Sequence, residues 1–113
     1  MTINYYLERQ RQLDDTIMDN IAEIDKPIDA NELMAKKILA LQTEVSEFAN
    51  ATRCFKYWSN KAPESEERQI DEWVDIFHFL LSIANLKGYT EEAIERAYDK
   101  KNKENYNRQE TGY

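Results

Sequence analysis

The sequence predicts an all-α fold of one domain spanning residues 1–113, and three observations predict it. Glycine and proline number only two each, so tight turns are scarce. Apolar residues recur at three- and four-residue spacing along most of the chain, and no segment keeps the two-residue alternation of a half-buried strand. Helix start and stop signals then divide the chain into four.

The first helix should run from about Ile3 to Ile24. Tyr6, Leu7, Leu13, Ile17 and Ile21 mark its apolar face, with Gln10 and Asp14 on one flank at i,i+4. Lys26-Pro27 ends it, because proline disfavours a helical residue before it. Asp29 or Asn31 caps the second helix, which runs to about Cys54. Phe55-Lys56-Tyr57-Trp58 and the polar Ser59-Asn60-Lys61-Ala62-Pro63 form a loop. Aromatic residues beside lysine at a helix end make either a hydrophobic plug with a snorkelling cation or a flat surface for a base, with Lys56 or Lys61 reaching a phosphate. The third helix opens near Ser65, a capping serine followed by Glu66 and Glu67, and stops at Leu86-Lys87-Gly88. Thr90-Glu91-Glu92-Ala93 starts a fourth, whose stripe is Ala93, Ile94, Ala97 and Tyr98. On composition alone the residues from Lys100 onward read as a frayed tail.

Charged residues make up 33% and hydrophobic ones 42%, an ordinary soluble balance. The net charge of −7 argues against non-specific nucleic-acid binding, since phosphates would be repelled. An acidic chain can still bind a polyphosphate when a divalent metal reverses the local sign. The single Cys54 excludes an internal disulfide and fits a reducing cytosol; it reads as a small packing residue, with His78 the sole imidazole to activate it. No stretch is long enough to span a membrane, and the first residues lack the order of a signal peptide. A cytoplasmic protein with no membrane or nucleic-acid partner is expected.

Function shows first in two acidic steps, Glu44-Val-Ser-Glu47 and Glu72-Trp-Val-Asp75. On a helical wheel Leu33, Ala40, Leu41, Phe48 and Ala51 share one arc, with Glu44 in its middle and Glu47 at its edge. A carboxylate there must be paired, neutralised or metal-bound. The third helix is apolar round most of its circumference, and Asp71, Glu72, Asp75, His78 and Ser82 collapse into one polar strip. Alone, that strip reads as a solvated stripe. If the two helices pack antiparallel, however, Glu44, Glu47, Glu72 and Asp75 converge on one oxygen-rich cluster. So broad an apolar surface in a short chain also predicts self-association, most simply as a two-fold dimer.

Glu-x-x-Glu, a spacer and Glu-x-x-Asp on successive helices resemble the all-α NTP pyrophosphatases of the MazG type. The surrounding residues are narrower. Glu44 through Phe48 to Cys54-Phe-Lys-Tyr-Trp58-Ser, then Glu72-Trp-Val-Asp75-Ile-Phe-His78-Phe, then Lys101-Asn-Lys-Glu-Asn105-Tyr-Asn-Arg108-Gln-Glu-Thr-Gly112-Tyr113 resemble the dimeric dUTP diphosphatases. Gln10-Arg-Gln-Leu13-Asp14 and Ile17 fit that family's first motif. The familiar dimeric enzymes are longer, with extra helices where this chain has only Leu86–Asp99.

The resemblance implies a four-helix-bundle-like fold completed by dimerisation, and hydrolysis of dUTP to dUMP and pyrophosphate with Mg²⁺, more than one ion per site, or Mn²⁺ in its place. It implies Glu44, Glu47, Glu72 and Asp75 as metal ligands, with Glu44 or Glu47 also orienting or deprotonating the water. Lys101, Asn105 and Arg108 would contact phosphates and sugar, with Lys56 a weaker phosphate candidate. Their i,i+4,i+7 spacing predicts that the fourth helix continues through them. Trp58 would stack on uracil, and Gln10, Asp14 and His78 would line the base or sugar pocket. Two rivals stand beside this reading: a broader nucleotide pyrophosphatase with the same metal cluster, and a non-enzymatic helical module with solvated acidic strips.

Overall fold

The computed structural model describes residues 1–23 and 28–112; the end of the first helix at Ile24, the Lys26-Pro27 break and Tyr113 lie outside the described residues. The four expected helices are present: α1 (Ile3–Glu23), α2 (Ala30–Thr52), α3 (Glu66–Lys87) and α4 (Glu91–Glu110). Among the described residues there is no strand.

Capping chemistry sets the boundaries. Asp29, rather than Asn31, closes the start of α2 by accepting from the backbone N–H of Glu32. Ser65 does the same for α3 through Arg68, and Thr90 for α4 through Ala93. Gly88 ends α3 in the left-handed region at φ 75°, where glycine carries no Cβ penalty. The end of α2 is less obvious. Arg53 adopts φ 58°, stopping the helix after Thr52 and leaving Cys54 exposed in the following turn rather than inside the helix.

The chain then turns back so that α2 and α3 pack antiparallel. The Ala51 carbonyl accepts from Glu64 N–H at 2.9 Å, Glu44 lies beside Asp75, and Lys37 lies beside Ser82. The helix α1 crosses α3, where Asn85 Nδ2 donates to the Leu7 carbonyl at 2.8 Å. Leu7, Leu81 and Ala84 form the buried core, with Ile3, Phe77 and Ile94 against it.

Only its start docks α4. Ile94 reaches the core, and Asn4 Nδ2 donates to Glu91 Oε2 at 2.8 Å. Beyond that, α4 makes little contact with the other helices and continues to Glu110, the extension its residue spacing predicts. The shape is therefore open. The radius of gyration is 17.7 Å, against about 13 Å for a compact chain of this length.

Candidate functional site

Antiparallel packing of α2 and α3 brings Glu44 against Glu72 and Asp75, with one oxygen of each lying within 4.8 Å of the others. Glu44 and Glu72 are half-buried. Burial first, then the charges of Asp75, Glu72 and Glu47, push the Glu44 carboxyl above its ordinary range. Three carboxylates so disposed form a hard-oxygen donor set of the kind that holds Mg²⁺. The donor set thus fits a divalent cation.

Glu47 is exposed and stands outside this trio, though its charge reaches Glu44. On the other side, Arg68 Nη2 donates to Glu72 Oε1 at 3.3 Å and Arg68 Nε to Glu64 at 3.2 Å. Sequence reasoning passed over Arg68. Its place four residues before Glu72 was the available signal.

A cavity of about 470 Å³ opens beside the acidic trio. Glu44 and Asp75 form one end of its lining, and Gln10, Asp14 and His78 lie on its wall, as do Lys37 and Ser82. The structure therefore joins two groups of residues that the sequence singled out separately. Lys37 and Ser82 are the unforeseen members. Each lies seven residues from an acidic ligand candidate, Lys37 before Glu44 and Ser82 after Asp75, which is two helical turns along the same face. That spacing was legible, but nothing in the sequence pattern singled out Lys37.

Other candidates lie elsewhere within one chain. Trp58 and Lys56 belong to the α2–α3 loop and do not line this cavity. Trp58 is 63% exposed and stacks edge-on with Tyr57 and Phe55. The loop holds its shape through Arg53, whose Nε donates to the Lys61 carbonyl at 3.1 Å and Nη2 to Ser59 Oγ at 3.0 Å. Half-buried Lys56 sits over the Phe55 ring. Along the chain direction the acidic trio lies between this loop and the Lys37–Ser82 end of the cavity. Lys101, Asn105 and Arg108 are on α4, which leaves the end of α3 instead of folding back along it; Lys101 pairs with Glu104 at 3.2 Å. One copy does not bring these three to the acidic trio.

Residues 2–87 match the model of a family described as dUTPase. A curated relative, the dCTP pyrophosphatase of Enterobacteria phage T4, is 36% identical over 75 residues, covering 56% of this chain and 44% of the relative. The chain thus spans less than half the length of that protein. No solved structure matches the chain at a significant level. Among the described residues, no helix is long and apolar enough to cross a membrane.

Proposed function

The chain belongs to the dUTPase family, and on that premise we propose that it is a Mg²⁺-dependent nucleoside triphosphate pyrophosphatase acting on dUTP, releasing dUMP and pyrophosphate. The observation that carries the reading is the acidic trio, two of whose members, Glu44 and Asp75, line a nucleoside-sized cavity. Glu44, Glu72 and Asp75 would hold the metal, with exposed Glu47 completing the set. A bound Mg²⁺ (or Mn²⁺) supplies charge neutralisation at the phosphates and acidifies a bound water.

The remaining work falls to the chain's own groups. Gln10, Asp14 and His78, on the cavity wall, bind and orient the nucleoside. That places the triphosphate over the carboxylates, pointing toward Arg68 and the Lys56 loop. Glu44, half-buried against Glu72 and Asp75, or exposed Glu47 beside it would orient or deprotonate the attacking water. Trp58 reaches a base only outside the cavity wall, so its stacking role belongs to the loop side of the site.

We further propose that the working unit is a homodimer. The chain exposes 8965 Å², whereas a compact monomer of 13.5 kDa exposes about 6,500 Å². The excess is comparable to what obligate interfaces bury. Much of it is apolar, including Leu39, Trp73, Leu80 and Tyr98. In such a dimer α4 of one copy would carry Lys101, Asn105 and Arg108 to the partner's triphosphate.

Turnover measured with Mg²⁺ across dUTP, dCTP, dTTP and the ribonucleotides tests the assignment. A clear preference for dUTP is expected. A preference for dCTP, the substrate in the phage relative's name, would move the substrate to cytosine, and equal rates would make the enzyme a broad pyrophosphatase.

A further inference from the structure

Between the acidic trio and the far end of the cavity lies a hydrogen-bonded chain in which two residues without a role in the proposed reaction, Lys37 and Ser82, meet Asp14. Ser82 is 2% exposed, and its hydroxyl donates to Asp14 Oδ2 at 2.8 Å. A serine has one proton, so the contact from Lys37 Nζ to Ser82 Oγ must run from the ammonium to the serine lone pair. The Lys37 ammonium itself is 3.9 Å from Asp14, so the hydroxyl bridges the pair. Gln10, 6% exposed, donates from Nε2 to the other Asp14 oxygen at 3.0 Å. Asp14 is thereby held from both sides, and each of its oxygens keeps acceptor capacity.

Lysine is rarely buried without a partner, and the Lys37 side chain is only 15% exposed. Packed apolar residues would stabilise the helix contact about as well as a buried pair of this kind. The pair is set in a cavity wall otherwise made largely of Leu13, Ile17, Leu33, Ala40 and Phe79. Apolar walls with one fixed acceptor suit a flat heterocycle or sugar that carries an N–H or O–H donor.

We propose that Lys37 is a positioning residue: through Ser82 it fixes Asp14 as a charged acceptor that reads a hydrogen-bond donor on the nucleoside. The proposal rests on the nucleotide reading of the cavity. It adds the device that sets affinity at the nucleoside end, away from the metal.

The test titrates 2′-deoxyuridine, which has no phosphate, into metal-free wild type, Lys37→Met and Ser82→Ala, followed by NMR, beside Mg²⁺-dependent dUTP hydrolysis. Both variants should bind deoxyuridine about tenfold more weakly, the scale of one charge-assisted hydrogen bond. They should raise KM for dUTP by a similar factor, with kcat within about twofold and the Mg²⁺-induced rise in Tm unchanged, which a merely structural defect would not leave intact. If Lys37→Met does not fold, Ser82→Ala decides. Weaker binding of N3-methyldeoxyuridine assigns the donor to the base, and weaker binding of 2′,3′-dideoxyuridine assigns it to the sugar; full affinity for both overturns the proposal. So does unchanged deoxyuridine affinity in Lys37→Met with weakened dUMP binding, which would make Lys37 a phosphate ligand. A wild type that binds deoxyuridine in a Lys37-dependent way but hydrolyses no nucleotide sinks the enzymatic reading alone. An active wild type whose Lys37→Met binds deoxyuridine normally sinks this proposal alone.

Discussion

Replacing Glu44 by Gln should make the metal-free protein more stable and the Mg²⁺-saturated protein less stable than wild type. The side chain keeps its shape but loses its charge beside Glu72 and Asp75, each with an oxygen within 4.8 Å. At that separation one like-charged pair costs about 0.9 kcal/mol in a water-like dielectric and about 3.5 kcal/mol at an effective value of 20. The cavity is open to solvent, so the lower figure applies, and relief from two pairs comes to about 2 kcal/mol. For a chain of this length that is a rise of about 8 °C in metal-free Tm at neutral pH. The sign with pH follows from the raised Glu44 carboxyl. A folded state that holds the proton more tightly loses stability as pH climbs from the unfolded carboxyl range (about 4.3) through the raised folded value. Below that window both states are protonated, and the advantage of Glu44→Gln should vanish. Mg²⁺ at a hundred times its Kd adds about 2.7 kcal/mol to wild type. The variant, short of a ligand, should gain little, so the two melting curves change order. Differential scanning fluorimetry with and without Mg²⁺, at about pH 4 and 7, reads all four corners. A lower metal-free Tm for Glu44→Gln at neutral pH, or an equal Mg²⁺ gain in both proteins, would refute the shared-cation geometry.

Glu72→Gln should lower Mg²⁺-dependent kcat by about a hundredfold or more, as loss of a metal-held phosphate clamp does, while steady-state assays show no rescue by raised substrate. Apparent Mg²⁺ affinity, titrated by calorimetry, should weaken as pH falls, because the ligands must be ionised. Leu81→Ala, in a core with few buried apolar side chains, should cost about 2–4 kcal/mol in urea unfolding. Wild type should sediment as a dimer and Tyr98→Glu, on the exposed apolar face of α4, as a monomer with reduced turnover.

Where the chain carries a strong local signal, the sequence placed the fold closely. Ser65, Thr90 and Gly88 stand at the boundaries expected of them, and the Lys101/Asn105/Arg108 spacing predicted the length of α4. The end of α2 was harder, since a left-handed arginine replaces the usual glycine and only its contacts with Ser59 and Lys61 reveal why. Glu44 was legible because a carboxylate amid an apolar arc demands an explanation, whereas Glu72 and Asp75, in a polar strip, gained meaning only from antiparallel packing against α2. The Lys37–Ser82–Asp14 chain was not, because it joins three helices and no single wheel shows it. Nor could periodicity say that α4 leaves the other helices: Ala93, Ile94, Ala97 and Tyr98 would look the same packed against their own chain or a second copy.

The α2–α3 loop closes around one of its own residues. Arg53 accepts a backbone conformation that costs about 1 kcal/mol, and its guanidinium offsets that cost by clasping Ser59 and the Lys61 carbonyl. The aromatic and cationic tips between those anchors therefore meet an incoming molecule already in a settled arrangement. A ligand taken up by Lys56 and Trp58 would therefore cost the loop backbone little ordering.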